Sequence, residues 1–389
     1  MPDNEAAFSR LDQVFAESGS SAALDRLVET LQEQNKYHEL FEALKMNLRH
    51  QLGLPLRYND SGEELDETTR QGLEDGLIDA CRQVGVLLLQ DGKLREGWMY
   101  LRPVGDSQTV LNELSKIEPH AENIDEFIEL CLHEGLDLPR GFQLMLDHYG
   151  TCNSITTFES SMYGQPRDQR TVGAGLLVRH VYDELLENVR GHIEREEEES
   201  PPQGTLGELI ADRCWLFADG AYHVDTTHLS SVVRFARDLE DQQLLFMARD
   251  LTAYGNQLDQ QLQYASEAPF AEFYPAHQRY FDALLGQEIE EAIGYFREQA
   301  EKSDAYQEST VAIEVYLDLL ARLKQWQTAI EESVRLLPES VQTTGLAPSL
   351  LDLSEACQNY DHLQQACRER DDLLGYTIGL LNAKSKVNE

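Results

Sequence analysis

The spacing of apolar residues is the feature of this sequence that most constrains its fold. Apolar side chains recur at positions i, i+3, i+4 and i+7, a repeat that collects them on one face of an α-helix. This spacing occurs in residues 22–34, 76–90, 124–134, 174–193, 205–217, 226–240, 276–285, 310–323 and 361–381. Strand-like alternation is nearly absent. Residues 154–158 are the best exception, and a cap at Asn153 or Ser154 would equally start a helix there. The periodicity predicts an all-α protein.

A short polar turn recurs between pairs of predicted helices. It occupies residues 35–40, 92–97, 286–292, 324–329 and 358–363. In each turn a large residue precedes a small or apolar residue by three positions, as Trp326 precedes Ala329. The large residue can pack in the hinge, and the small one lets the second helix approach its partner closely. The chain is therefore predicted to consist largely of helical hairpins, each of which needs a neighbour to bury its second face.

These turns resemble those of tetratricopeptide-type repeats, which run approximately Gly-x-Tyr-x-x-Ala-Ile/Leu. The matching residues are Trp326, Ala329 and Ile330 in one turn, and Ile289, Ala292, Ile293 and Phe296 in another. The resemblance covers residues 22–115 and 276–383, with irregular spacing in place of a constant period of ~34 residues. It implies α-solenoid arms, each an irregular array of stacked antiparallel helical hairpins, on either side of a central helical region.

Polar segments divide the chain at residues 58–64, 161–168 and 196–204. The third segment is the clearest break, because a run of glutamates precedes a Pro-Pro pair and a glycine. We therefore expect three parts. They are an N-terminal hairpin arm over residues 1–118, a central histidine-rich region over 119–265 and a C-terminal hairpin arm over 266–389.

The charge of the chain limits its partners. Acidic residues outnumber basic residues 70 to 32, which gives a formal net charge of −38. This charge repels nucleic-acid phosphates and anionic lipids, so neither a nucleic acid nor a membrane is an expected partner. A cationic ligand, a metal ion or a basic protein suits it better, and a strongly solvated surface without a partner is the alternative. No apolar run approaches the ~18 residues that span a bilayer, no secretory signal is visible, and the 6 cysteines form no CxxC pair. These features predict a cytoplasmic protein with reduced thiols.

Sequence motifs of common catalytic sites are missing. The sequence contains no GxxxxGKS/T, GxGxxG, GxSxG, HExxH or DDxxD motif. A nucleotide-binding loop, a nucleophile elbow and a zinc-protease site are therefore not supported. The leading functional hypothesis is a non-enzymatic interaction protein, an adaptor that binds a protein partner through helical-repeat surfaces.

Histidines concentrate between residues 148 and 228. The densest group is His223, Asp225 and His228, an HxDxxH motif at a predicted helix start. Two imidazoles and a carboxylate this close can converge on one transition-metal ion. Alternatively, Asp225 or Thr226 caps the helix, and this cap satisfies His228, which projects onto the apolar face.

His180 and Glu184 are one turn apart on another predicted helix, a spacing used for metal ligation in helical bundles. Helical projection places both opposite the apolar face, so an exposed pair is the alternative. With the HxDxxH group, they support a second hypothesis, a metal-dependent enzyme such as a hydrolase with zinc or manganese as cofactor. A third hypothesis is an apolar ligand cavity near Trp215, Phe217 and Tyr222.

Overall fold

The computed structural model describes residues 2–57, 65–162, 164–264, 266, 268–303, 309–337, 341–369 and 371–385. Its helices are α1 (Pro2–Glu33), α2 (Tyr37–Gln51), α3 (Glu67–Gln90), α4 (Leu94–Leu101), α5 (Ser107–Leu114), α6 (Ile124–Ile128), α7 (Leu138–Thr157), α8 (Arg167–Glu197), α9 (Leu206–Ile210), α10 (Thr226–Phe235), α11 (Gln242–Gln257), α12 (Phe273–Leu284), α13 (Ile289–Lys302), α14 (Val311–Arg322), α15 (Trp326–Leu336), α16 (Leu350–Cys357), α17 (Asp361–Glu369) and α18 (Leu373–Ser385). Short 3-10 or π turns cover Arg102–Val104, Glu129–His133, Phe158–Met162, Cys214–Gly220, Ala236–Asp238 and Gln260–Leu262. The predicted linker at residues 58–64 lies outside the described residues.

The predicted all-α class is confirmed, because the described residues form helices and no β-strand. Residues 154–158, the best strand candidate, belong to α7 and the π turn that follows it. The periodic segment 361–381 is not one helix, since Asp371 has a φ of 55° and ends the right-handed turn of α17. No helix in the described part of the chain is long and apolar enough to span a bilayer.

The chain divides into two compact units, Met1–His148 and Tyr149–Glu389, which we call the first and second unit. In the first unit, α1 packs against α2, α2 against α3, and α3 against both α4 and α5. In the second unit, α8 contacts α9, α10 and α11, and α11 to α18 pack in chain order. The expected division into three parts at residues 118 and 265 stays a prediction.

All five predicted turns coincide with turns of the structure. Each contains a residue with positive φ, namely Asn35, Gly92, Gly286, Lys324 or Gln358. A residue in this left-handed conformation ends a right-handed helix and lets the chain reverse. The helices on either side of each turn contact one another. The small or apolar residue of each turn is buried: Leu40, Gly97, Ala292, Ala329 and Leu363.

Helices α3 and α4 approach closely at two glycines. A Cβ atom on Gly97 would lie 2.7 Å from Leu89 Cδ2 and 3.0 Å from the Gly85 carbonyl oxygen. A Cβ atom on Gly85 would lie 2.5 Å from Leu101 Cγ. Because protein interiors are close-packed, a side chain at either glycine would push the helices apart. The short distance between α3 and α4 therefore requires a small residue at Gly97.

Helix α8 is a main element of the second unit's core. Its apolar face is fully buried: Val178, Val181, Leu185, Val189 and Ile193. This is the face that the 3.6-residue periodicity predicts. The aromatic residues that crowd the start of α12, among them Tyr274, Tyr280 and Phe281, are also buried and belong to the core.

Ala329 provides a test of the turn register. Its side chain is fully buried near the hinge at Lys324, so Ala329→Leu should overpack the contact between α14 and α15. We expect a loss of about 1–3 kcal/mol in the free energy of unfolding. Glu331→Leu, at an exposed position of α15, should change it by less than about 0.5 kcal/mol. Urea unfolding followed by circular dichroism measures both variants, and equal losses would mean that the register is wrong.

Candidate functional site

A polar groove of about 620 Å³ lies beside α8 in the second unit. Helix α8 lines it with residues at helical spacing: Glu184, Glu187, Asn188, Gly191 and Arg195. The segment that leads into α10 forms the other wall: Tyr222, His223, Val224 and Asp225. Three of the predicted metal ligands, Glu184, His223 and Asp225, therefore share one groove.

His223 lies in the middle of a chain of three hydrogen-bonded side chains. Its Nδ1 atom is 2.8 Å from the Tyr254 hydroxyl, and its Nε2 atom is 2.7 Å from Nδ1 of His192. The Tyr254 hydroxyl also accepts a hydrogen bond of 2.8 Å from the backbone N–H of His223. Tyr254 is fully buried and both histidines are half-buried, so the chain links the core to the groove wall. Sequence reasoning did not identify His192 or Tyr254 as partners of His223.

The surroundings of His223 keep its ring neutral. Burial, with smaller effects of His192 and Arg195, lowers the pKa of His223 to about 4, so the ring is neutral at neutral pH. Burial also raises the pKa of Tyr254, which keeps its proton. We assign that proton as the donor to His223 Nδ1, because the Tyr254 oxygen already accepts from the backbone. The ring proton of His223 is then on Nε2, where it is donated to His192.

Asp225 caps α10, which is one of the two alternatives that the sequence left open. Its Oδ1 atom accepts hydrogen bonds from Thr227 N at 2.8 Å, Thr227 Oγ1 at 2.6 Å and His228 N at 3.2 Å. The hydrogen bond from the Thr227 hydroxyl is the largest cause of the lowered pKa of Asp225. The His228 ring is half-buried and does not line the groove. A cap of this kind stabilises a protein by about 0.5–2 kcal/mol, so Asp225 has a structural role.

His180 does not line the polar groove that Glu184, His223 and Asp225 share. Its Nε2 atom lies 2.9 Å from Thr151 Oγ1, whereas Glu184 is exposed in the groove. Within the described ranges, no group of three or more His, Cys, Asp or Glu side chains is arranged to hold a metal ion. The zinc or manganese site stays a prediction.

Of the residues proposed for an apolar cavity, Trp215 and Phe217 pack near the histidines. The Trp215 ring meets His192 edge-on, with 5.3 Å between the ring centroids. The Phe217 ring is 5.1 Å from the Tyr254 ring. Tyr222 is 57% exposed and lines the polar groove.

A second cavity of the second unit, with a volume of about 350 Å³, is lined by four arginines. Arg167 and Arg170 come from the start of α8, and Arg234 and Arg237 come from the end of α10 and the 3-10 turn after it. We call this cavity the arginine pocket. Its other lining residues are Phe158, Gly164, Phe235, Asp238, Tyr280, Val311, Val315, Asp318, Thr344, Gly345 and Leu346.

Two aspartates hold the arginines of α8. Asp238 accepts hydrogen bonds from Arg170 Nε at 2.7 Å and Nη2 at 2.8 Å, and it lies 3.4 Å from Arg167 Nε. Arg167 Nη2 is 2.8 Å from Asp318 Oδ1. Burial acts to raise the pKa of Asp238, but Arg170 and Arg167 hold it below its ordinary value. Burial likewise acts against the charge of Arg167, and Asp318 keeps the pKa of this guanidinium high.

The arginines of α10 and its 3-10 turn have other surroundings. Arg234 pairs with Glu159, which is partly exposed. The Nε–H group of Arg234 is buried and has no hydrogen-bond partner among the described residues. The Arg237 guanidinium lies over the Phe270 ring, 4.9 Å from its centroid. Buried donors in proteins are nearly always paired, so the Arg234 donor marks an incomplete polar environment.

A buried carboxylate fixes one wall of the arginine pocket. Glu314 of α14 is fully buried and accepts hydrogen bonds from the backbone N–H groups of Thr344 at 2.8 Å and Leu346 at 2.9 Å. It also accepts from the hydroxyl groups of Thr310 at 2.6 Å and Thr344 at 3.1 Å. Residues 344–346, which we call the pocket strap, have no helical structure and depend on this carboxylate for their position.

Sequence reasoning missed the arginine pocket, although the chain carries a signal for it. The pairs Arg167/Arg170 and Arg234/Arg237 are both Arg-x-x-Arg, in a chain with only 32 lysines and arginines. Residues three apart share one face of a helix. The sequence does not reveal that the two pairs face the same cavity.

No protein-family model matches this chain, and no curated protein or solved structure matches it. The polar groove and the arginine pocket are therefore the basis for any statement on function.

Protonation of His223 should make stability depend on pH. Its pKa in the folded protein is about 4, below the value of about 6.5 in an unfolded chain, so between these pH values the unfolded chain binds more protons. The contribution of neutral His223 to the free energy of unfolding is therefore fully present above about pH 6.5. It decreases as the pH falls from there to about 4. Between pH 7 and pH 4, we expect the urea concentration at the unfolding midpoint to fall less for His223→Gln than for wild type. His362→Gln serves as the control, and identical pH profiles for wild type and His223→Gln would contradict the assignment.

Metal binding by His223, Asp225 and His228 can be tested by thermal melts with and without added zinc or manganese. A metal that binds only the folded protein raises the melting midpoint. If these residues hold a metal, we expect the rise in wild type and its loss in His228→Ala. A wild-type midpoint that neither metal raises would contradict the predicted site.

Proposed function

We propose that this chain is a non-enzymatic binding protein whose recognition site is the arginine pocket of the second unit. The charge of the pocket carries the proposal. Four arginines and two aspartates line it, in a chain with a formal net charge of −38. Positive charge collected in a cavity of so acidic a protein favours an anionic ligand.

The apolar part of the lining supports a ligand site over a purely structural group of ion pairs. Phe158, Phe235 and Tyr280 contribute aromatic rings, and Val311 and Val315 contribute aliphatic surface. An unfilled cavity beside apolar side chains costs packing energy. A group of ion pairs with a purely structural role would not require such a cavity. A volume of about 350 Å³ falls in the range of about 300–1,000 Å³ that is usual for small-ligand sites.

We also propose that residues 1–118 and 266–389 form irregular arrays of stacked, tetratricopeptide-like hairpins that present surfaces to a protein partner. The shared geometry of the five turns supports this, since each has a left-handed residue and a buried small or apolar residue. Stacked hairpins form extended surfaces that suit protein binding. The acidic composition favours a basic partner for surfaces outside the arginine pocket.

The polar groove supports the metal-dependent enzyme less well than the arginine pocket supports binding. Both ring nitrogens of His223 are engaged, by Tyr254 and His192. Oδ1 of Asp225 already accepts the three hydrogen bonds of the α10 cap. A metal would have to replace several of these contacts, at a cost in stability.

Benzoate and benzylamine test the binding proposal, because both carry a benzene ring and their charges are opposite. At neutral pH the acidic surface attracts the benzylammonium cation, so tighter binding of benzoate requires a locally positive site. We expect isothermal titration calorimetry to show benzoate binding at least about tenfold more tightly, which corresponds to about 1.4 kcal/mol.

Arginine variants test whether benzoate binds in the arginine pocket. Arg234→Gln should weaken benzoate binding by at least about fivefold, because hydrogen bonds to a charged group contribute roughly 1.5–3 kcal/mol. Arg335→Gln is the matched control, since Arg335 also pairs with glutamate side chains and does not line the pocket. Equal affinity for the two probes, or equal effects of the two variants, would overturn the proposal.

A further inference from the structure

The charge balance of the arginine pocket limits the charge of its ligand, if the proposed function holds. The four arginines face Asp238 and Asp318 of the lining, and Glu159 pairs with Arg234. Behind the lining, Glu314 holds the pocket strap and Arg322 donates to the Tyr280 hydroxyl at 3.2 Å. Five guanidinium groups against four carboxylates leave a surplus of one positive charge. In a cavity of reduced dielectric constant an unbalanced charge is costly, so a ligand with a single negative charge completes the balance. A phosphate monoester carries about −1.5 to −2 at pH 7 and would exceed it.

The remaining lining requires an apolar body on the same ligand. Phe158 and Phe235 are buried side chains with their rings 4.3 Å apart, and the buried Tyr280 ring is a third aromatic surface. Burial raises the pKa of Tyr280 to about 12, so its hydroxyl stays neutral and adds no charge to the lining. Burying apolar ligand surface against such side chains contributes about 25 cal/mol per Å².

The arginine pocket adjoins an open groove of the second unit. Arg167, Arg170 and the pocket strap line both the arginine pocket and this groove, which has a volume of about 520 Å³. Because Glu314 holds the strap through two backbone N–H groups, the wall is formed before a ligand binds.

We infer that the arginine pocket binds a small amphiphilic monocarboxylate, with one carboxylate group and an aromatic or short aliphatic body. The carboxylate supplies the single negative charge and can accept hydrogen bonds from a planar guanidinium in the bidentate manner that arginine favours. The apolar body packs against the aromatic and aliphatic side chains of the lining. This inference rests on the proposed function and adds the class of ligand to it.

The experiment compares 4-phenylbutyrate with three probes that each differ from it in one feature. 4-Phenylbutyramide has the same body without charge, acetate has the charge without the body, and 3-phenylpropyl phosphate has the same body with a phosphate head. Calorimetry on the full chain at neutral pH should show 4-phenylbutyrate binding at least about tenfold more tightly than each of them. Val311→Trp, which fills the pocket, should weaken 4-phenylbutyrate binding at least about tenfold, and the exposed Val334→Trp should not.

Each result bears on a different part of the inference. Tighter binding of the phosphate would overturn the monocarboxylate class, and equal binding of the amide would remove the requirement for charge. Equal binding of acetate would remove the requirement for an apolar body. These three results leave the proposed function standing if benzoate still binds in preference to benzylamine. Failure of both 4-phenylbutyrate and benzoate to bind would overturn the inference and the proposed function together.

Discussion

The carboxylate of Asp238 is the contact on which the second unit's charged interior depends. It accepts both hydrogen bonds of Arg170 and lies beside Arg167, which in turn reaches Asp318 on α14. One short chain of charges thereby ties together the start of α8, the turn after α10 and the middle of α14. Partly buried charges persist only when they are paired, and removal of Asp238 would leave Arg170 without its carboxylate and Arg167 with Asp318 alone. The arginine pocket exists because these side chains hold the three elements around it.

The position of Arg167 and Arg170 is unfavourable for an isolated helix. Both lie within the first four residues of α8, the end where the helix macrodipole disfavours positive charge. Asp238 compensates for this, but acidic residues at the same positions would suit the helix without any partner. Local rules of this kind are broken chiefly where a site requires it. The ion pairs with Asp238 and Asp318 explain the choice of arginine at these positions, and the proposed anionic ligand would be a second reason for it.

The parts of the fold that are local in sequence could be predicted. The turn at Lys324 and the cap at Asp225 each depend on residues within one turn of helix, and the buried stripe of α8 follows from its periodicity. The polar groove and the arginine pocket could not be predicted in this way. Helical periodicity identifies a buried face without identifying the helix that covers it. His223 meets a histidine 31 residues away, and Asp238 meets Arg170 at a separation of 68 residues. With no matching family, such pairs had to come from the structure.

The acidity of the chain bears on how an anion reaches the arginine pocket. Long-range repulsion by a net charge of −38 slows the approach of any anion, while attraction inside the pocket acts only over a few ångströms. Added salt screens exposed charges beyond about 8–10 Å and screens buried charges much less. Moderate salt should therefore raise the association rate of a carboxylate ligand and change its dissociation rate little, the reverse of the usual behaviour of oppositely charged partners. A binding site on the surface, formed by exposed arginines, would instead lose affinity as salt is added.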